Sequence, residues 1–367
     1  MSTRRAVDVQ IGGRRLELAN LEKVFYPANG FTKGQVIDYY LRIAPALLPH
    51  LRNRPLTLKR YPEGAQGPFF YEKRCPSHRP PWVRTASVWS GARGEEIRFC
   101  VVDDLATLIW AVNLADLEMH TYLHCASAVE RPTVLAFDLD PGPPADAVQC
   151  CDVALALKSL FDRLGLASFP KTSGSKGLQV YVPLNTPIGY EVTKPFARAV
   201  AELLERERPD LIVSSMKKAL RAGKVLVDWS QNDVHKTTVC VWSLRARERP
   251  TVSTPLRWEE VQAALRARDA AGLSFDAPEA LRRFERGGDL FAPVLKLRQR
   301  LPDLAGIARP PKERASRASG GAHRRPPSAA RGKANARPPA RGGSGASRRA
   351  PPPGGGHGAA EDGYLSS

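Results

Sequence analysis

A run of apolar residues that ends in two carboxylates, Val134-Leu-Ala-Phe-Asp138-Leu-Asp140-Pro-Gly142, leaves this chain few ways to fold. Such a run, stopped by a proline and a glycine, reads as a buried strand ending in a turn. Side chains alternate along a strand, so Asp138 and Asp140 point to the same side. Like charges held this close repel unless something neutralises them, and a divalent cation with oxygen ligands is the usual partner. The plainer alternative is a turn, since Asp before Pro-Gly is common turn chemistry. A second apolar strand, Val225-Leu-Val-Asp228-Trp229, also ends in a carboxylate, just after the basic run Lys217–Lys224. Three strand-borne carboxylates suit a pair of divalent ions, one activating an attacking hydroxyl and the other steadying a leaving phosphate.

The rest of the chain alternates strands and helices irregularly, as a mixed α/β or α+β domain does. Val7, Val9 and Ile11 alternate as a short strand. Thr32 caps a helix from Lys33 to about Leu51, with Val36, Ile37, Tyr40, Leu41 and Ile43 on its apolar face. Leu56–Pro62 is a strand that carries the basic pair Lys59-Arg60. Residues 88–100 resemble a hairpin. Asp103 or Asp104 starts a helix that runs to Glu118-Met119-His120. Further helices are expected over 145–164, 191–207, Trp258 to about Ala270, and 286–301. From about residue 306 the composition turns to Pro, Gly, Ala, Ser and Arg. Residues 308–367 hold 12 Lys/Arg against 3 Asp/Glu and keep no hydrophobic period, so 306–367 is expected to be a disordered basic tail behind a catalytic domain of 1–305.

The formal charge of +18 asks for a polyanionic partner, with nucleic acid first and an anionic membrane second. No apolar run approaches the ~20 residues of a membrane span. No apolar segment follows Met-Ser-Thr-Arg-Arg, so the expected place is the cytoplasm, and a nucleic-acid partner would put the chain at the nucleoid. The six cysteines, at 75, 100, 125, 150, 151 and 240, form no C-x-x-C pair. Cys75-x-x-His78 and His124-Cys125 lack finger-like partners, and reduced thiols are expected rather than structural zinc.

Near the acidic strands lies the loop Lys171-Thr-Ser-Gly-Ser-Lys176-Gly177. Its glycines would let backbone N–H groups approach phosphate, and Lys176 would add a point charge. The spacing is not that of a Walker A loop. With Lys59, Arg221 and Arg245 it reads as a triphosphate cradle opposite a metal pair. Phe69-Phe-Tyr-Glu-Lys-Arg74 mixes aromatics with cations, which suits base stacking beside phosphate, or simply a core. The Phe-Asp-Leu-Asp stretch also resembles the first motif of haloacid-dehalogenase-type phosphatases. That motif normally stands near the start of a doubly wound domain, with Thr or Ser where Gly142 stands here.

The ordered series of motifs from about 7 to 302 resembles the polymerase domain of bacterial ATP-dependent DNA ligase D, in the archaeo-eukaryotic primase superfamily. It rests on Asn20-x-x-Lys23, Phe-Thr-Lys33 with Asp38-Tyr-Tyr40, Arg54-Pro55, Lys59-Arg-Tyr-Pro62, Phe70-Tyr-x-Lys73, Glu118-Met-His120, Phe137-Asp-Leu-Asp140-Pro, Ser173-Gly-Ser-Lys-Gly177, Asp228-Trp-x-x-Asn232, and Ser243-Leu-Arg245-x-Arg247 with Val252-Ser-Thr-Pro255. The resemblance implies a primase-type α+β fold with an RRM-like catalytic sheet flanked by helices. It implies a template-dependent nucleotidyl transferase that fills gaps and extends 3′ ends in non-homologous end joining. Ribonucleotides would be preferred over deoxynucleotides, with two divalent ions, manganese favoured over magnesium. By carry-over, Asp138, Asp140 and Asp228 hold the metals. Lys59, His120, Ser173, Lys176, Gly177, Arg221 and Arg245 bind the incoming nucleotide. Phe70 and Tyr71 stack on bases. Asn20, Lys23 and Lys33 bind the 5′-phosphate of the downstream strand, and 88–100 falls where the family has a loop that helps hold two DNA ends together.

Two departures stand out. Gln179 replaces the usual His after the Ser-Gly-Ser-Lys-Gly loop; it can donate a hydrogen bond to phosphate but carries no charge, so weaker triphosphate binding is expected. No Lys-x-Asp-Gly nucleotidylation motif occurs, so the polymerase is expected to stand alone, with Ku and a separate ATP-dependent DNA ligase as partners. The alternatives are an end-binding and bridging module without catalysis, or a primase that starts strands unprimed.

Overall fold

The computed structural model describes residues 6–90 and 94–303. In chain order the strands are β1 (Ala6–Ile11), β2 (Arg14–Ala19), β3 (Val24–Tyr26), β4 (Phe31–Thr32), β5 (Pro55–Arg60), β6 (Phe70–Glu72), β7 (Thr85–Ser90), β8 (Glu95–Val101), β9 (Asp116–Tyr122), β10 (Val134–Pro141), β11 (Phe169–Thr172), β12 (Leu178–Pro183), β13 (Ile212–Val213), β14 (Val225–Asp228) and β15 (Thr237–Val239). The helices are α1 (Lys33–Leu51), α2 (Leu105–Asn113), α3 (Ala147–Arg163), α4 (Tyr190–Glu207), α5 (Trp258–Ala267) and α6 (Ala277–Gly287).

Two sheets carry the architecture. One has five strands in the order β11-β12-β10-β14-β13, antiparallel but for the β13–β14 pair. The other has six, β15-β9-β5-β8-β7 with β6 added on β5. Each has its own core. Phe137 and Leu139 of β10 pack with Val153 and Leu157 of α3, Phe196 and Val200 of α4, and Val261 of α5. Leu56 and Leu58 of β5 pack with Ile43 and Leu47 of α1, Ile109 of α2, and Leu281 of α6. Among the described residues, fifteen strands and six α-helices, segregated in this way, form the α+β fold that the sequence indicated.

Helix α1 shows how local chemistry sets the frame. Thr32 Oγ1 accepts from Gln35 N, and the Gln35 side chain accepts from Thr32 N, a reciprocal capping box. Thr32→Ala is expected to lower stability by about 1 kcal/mol, seen as an earlier urea midpoint with an unchanged slope.

Three sequence expectations are corrected. The helix begun at Asp104 ends at Asn113, because Ala115 takes a left-handed turn (φ 66°), and Glu118-Met119-His120 lie on strand β9. No helix spans 286–301. Helix α6 ends at Gly287, followed by Gly288 at φ 64°, and between there and residue 301 lies one 3-10 turn, Ala292–Leu295. Cys75 and Cys100 form a disulfide that ties the segment before β7 to β8, while Cys125, Cys150, Cys151 and Cys240 are free thiols. The hairpin around 88–100 is present as β7 and β8, paired from Thr85–Cys100 to Ser90–Glu95. The basic tail lies outside the described residues. Among the described residues, no helix is long and apolar enough to cross a membrane.

Candidate active site

Each sheet carries a row of polar side chains. In the five-stranded sheet Lys171 on β11 opposes Gln179 on β12, Gln179 opposes Asp138 on β10, and Asp138 opposes Asp228 on β14. Directly opposed residues share a face, so the four stand side by side, with Asp140 two residues along β10 on that same face. In the six-stranded sheet Tyr71 opposes Lys59 and Lys59 opposes Glu118. Asp116, Glu118 and His120 alternate on one face of β9.

The carboxylate row is electrostatically loaded. Burial, then Asp140 and Asp228, push the Asp138 carboxyl well above its ordinary range, against a hydrogen bond from Gln179 and the charge of Lys171. Burial and Asp228 raise Asp140 to about 6, while Arg221, Arg245 and Arg247 oppose. Asp138 Oδ1 is buried with no hydrogen-bond partner. An unpaired buried carboxylate oxygen among acidic neighbours fits a divalent cation. Asp138 and Asp140 are the residues that would hold it first. Asp228 is already engaged, because its Oδ1 accepts from Ser230 N (2.8 Å) and Oγ (2.6 Å) and its Oδ2 from Gln231 Nε2 (2.9 Å). Accordingly, among the described residues no three His, Cys, Asp or Glu side chains form a ready metal cage. Cation binding should weaken as pH falls, since protonation of Asp140 below about 6 removes a ligand charge. Mn²⁺ titration calorimetry at pH 5 is expected to give roughly tenfold weaker binding than at pH 7.

The cationic half is organised by one residue. Glu118, 1% exposed, takes Lys59 Nζ at 3.2 Å, His120 Nε2 at 3.0 Å and Arg245 Nε at 3.2 Å on Oε2, and Tyr61 OH (3.0 Å) and Ala246 N (3.1 Å) on Oε1. Burial works against its charge, yet Arg245, His120 and Lys59 hold its carboxyl well below the usual range. Burial lowers both Lys59 and His120, against the pull of Glu118. In the sequence Glu118 stands out only as part of the Glu118-Met-His120 motif. The signal in the sequence is the alternation Asp116-x-Glu118-x-His120, which puts three polar groups on one face of a strand.

Arg245 joins the halves. It faces Glu118 through Nε and donates from Nη1 to the Ser173 carbonyl at 2.6 Å. Ser173 Oγ closes its own loop by accepting from Ser175 N and Gly177 N, both at 3.2 Å. Two glycines are required there. A Cβ on Gly177 would lie 1.9 Å from the Leu139 carbonyl oxygen, and Gly174 has φ +68° with Arg245 Cγ 2.7 Å from a Cβ position. Lys176 is exposed on this loop. Arg221 donates to the Met216 carbonyl (2.7 Å), and its charge reaches Asp140. Gln179 is 3% exposed, stands between Lys171 and Asp138 in the row, and its side chain hydrogen-bonds the Asp138 carboxylate.

Beside Lys59 stand exposed aromatics. Phe70 is 45% and Tyr71 40% exposed; Lys59 Nζ lies over the rings of Phe69 (4.5 Å) and Tyr71 (5.6 Å), and Arg60 Cζ over Phe70 (5.2 Å). Tyr71 meets His120 edge-on at 6.1 Å. Asn20, Lys23 and Lys33 meet at one corner, where Lys23 N donates to Asn20 O (3.0 Å) and Lys33 N to Lys23 O (2.8 Å). Their side chains differ. Lys23 pairs with Glu63 at 2.8 Å, while Lys33 is buried, donating to Ala19 O (2.8 Å) and Asn113 Oδ1 (2.7 Å).

Comparison with known proteins agrees with this geometry. The LigD primase-polymerase domain matches residues 32–291. The multifunctional non-homologous end joining protein LigD of Mycolicibacterium smegmatis is 40% identical over 282 residues, 76% of this chain and 36% of that protein. The bifunctional LigD of Bacillus subtilis is 35% identical over 252 residues, 68% of this chain and 40% of that one. The chain thus spans little more than a third of the curated relatives it matches. The polymerase domain of Mycobacterium tuberculosis ligase D, solved in complex with DNA, superposes with a TM-score of 0.71 at 38% identity, over 77% of this chain and 98% of that domain. A two-sheet fold, a carboxylate row facing a cation cluster, and matches of this extent place the chain in the LigD primase-polymerase domain family, a family of DNA-directed nucleotidyltransferases.

Proposed function

We propose that this chain extends 3′ ends and fills short gaps at DNA breaks in non-homologous end joining, as a template-directed nucleotidyl transferase. One observation carries the reading: Arg245 ties the cation cluster on Glu118 to the Ser173–Gly177 loop, and its charge also reaches Asp140 of the carboxylate row. A nucleoside triphosphate needs both halves, cations for its phosphates and carboxylates for its metals. Lys59, His120 and Arg245 would hold the triphosphate with Ser173, Lys176, Gly177 and Arg221. Phe70 and Tyr71 would stack against bases beside it. Asp138, Asp140 and Asp228 would hold two divalent ions, Mn²⁺ in preference to Mg²⁺, which when bound lower the pKa of an attacking hydroxyl and neutralise phosphate charge. In the reaction the 3′-oxygen bonds to the α-phosphorus as the bond to pyrophosphate breaks.

The preferred substrate in this reading is a ribonucleotide on a gapped duplex with a downstream 5′-phosphate, received at the corner of Asn20, Lys23 and Lys33. Its partners are DNA ends, Ku and an ATP-dependent DNA ligase activity. The DNA-bound state of the M. tuberculosis domain supports the DNA partner. The test compares extension on gaps with and without that phosphate, using ribo- and deoxynucleotides. Faster ribonucleotide addition on the phosphorylated gap is expected. Equal rates on both gaps would remove the phosphate pocket, and deoxynucleotide preference would remove the ribonucleotide assignment.

A further inference from the structure

Lys171 is fully buried, with 0% of its surface exposed, yet it belongs to neither group of ligands described above. A buried ammonium needs hydrogen bonds and a countercharge. Both are present, and they come from different parts of the molecule. Lys171 stands at the end of the row Lys171–Gln179–Asp138–Asp228 in the five-stranded sheet. Asp138 is the group that most strongly favours its charge, against burial, which lowers it to about 7. Its Nζ leaves that sheet to donate to the Val239 carbonyl at 3.2 Å and to Ser253 Oγ at 2.6 Å. Val239 lies on β15 of the six-stranded sheet, directly opposite His120.

Ser253 is part of the same junction. Its Oγ donates to the Thr172 carbonyl (2.8 Å), and its N donates to Ser243 O (2.9 Å). Ser243 Oγ in turn accepts from Met119 N at 2.8 Å, between Glu118 and His120. A cavity of ≈ 40 Å³ borders Lys171 at this seam, walled by Tyr181 of one sheet and Thr121 and Thr238 of the other. At this seam the ammonium supplies directed hydrogen bonds to Val239 and Ser253.

We infer that Lys171 is a positioning residue that fixes the carboxylate row against the nucleotide-binding strand β9, by joining the Asp138 row to the backbone opposite His120. Lys171 touches no substrate in this arrangement. It sets the separation between the carboxylates and the cations that grip a triphosphate. Its removal should leave each half able to bind its own ligand and should uncouple the two. The inference rests on the polymerase reading of the site.

The test measures coupling rather than turnover. ATP binding is measured with EDTA and then with Mn²⁺, corrected for the complex that Mn²⁺ and ATP form in solution. In the wild type, Mn²⁺ should tighten ATP by about tenfold or more. Lys171→Met keeps the length of the side chain and removes the charge. It should bind ATP without metal within about threefold of wild type, while the Mn²⁺ effect shrinks to about threefold or less. Ser253→Ala, which keeps the ammonium and deletes one partner, should shrink that effect in part; it decides the matter if the Lys171 variant does not fold. A full Mn²⁺ effect in either folded variant overturns the proposal, as does a loss of metal-free ATP binding that tracks lost thermal stability. Absence of any Mn²⁺ effect in the wild type would overturn the polymerase reading, and this proposal with it.

Discussion

Asp138→Ala should abolish nucleotide addition, by about a thousandfold or more, while leaving the affinity for a gapped duplex unchanged. Duplex affinity is governed by phosphate contacts, which do not involve the carboxylate row. A parallel substitution separates charge from structure. Asp140 has its carboxyl raised to about 6 by burial and by Asp228, above the ordinary 3.8. A carboxylate whose folded value exceeds its unfolded value costs no stability at pH values below both. The cost grows as pH rises from about 4 to about 6 and is complete above that. Asp140→Asn removes it. The metal-free variant is expected to be more stable than wild type by about 2 kcal/mol at pH 8, with the gain vanishing near pH 4, and to be inactive throughout. Denaturant melts of metal-free protein at the two pH values, beside an extension assay, check the prediction. Lower stability at pH 8 would mean that the row is not held against its own repulsion.

Glu118→Gln should be the most destabilising single change in the site. Glutamine keeps the shape and deletes the one carboxylate shared by Lys59, His120 and Arg245, whose side chains are only 10%, 12% and 8% exposed. Leaving buried Lys59 and Arg245 without their countercharge, and His120 without its hydrogen-bond partner, is expected to cost about 3 kcal/mol or more, a fall in Tm of roughly 6 °C or more. The sign of the ligand effect follows from the same charges. A triphosphate brings negative charge to the three orphaned groups, so ATP should raise the Tm of the variant by more than it raises that of wild type. A Tm within a degree of wild type, or an equal ATP shift, would show that Glu118 is not the anchor of the cluster.

Much of this site is legible in the sequence because it uses local periodicities. Asp138 and Asp140 share a face by strand alternation, and Asp228 ends a later apolar strand, β14. Helix α1 starts where Thr32 and Gln35 say it should. Other parts depend on long-range pairing. Glu118 acquires its role only when β9 lies beside β5, and Lys171 only when β11 packs against the segment of Ser253. In the sequence, Lys171 looks like one more cation of a glycine-rich loop. The Cys75–Cys100 link has no spacing signal. The expected helix over 286–301 overlooked Gly287-Gly288 as a stop, and with it the capping box of Asp276 and Glu279 that starts α6 nearer the chain's middle.

The most direct measurement is nucleotide addition by the wild-type chain to a 5′-phosphorylated gapped duplex, with Mn²⁺ or Mg²⁺ and with ribo- or deoxynucleotides. Templated addition of one or a few nucleotides, fastest with ribonucleotides and Mn²⁺, is the expected result. DNA binding without addition under every combination would contradict the account and leave an end-binding module in its place.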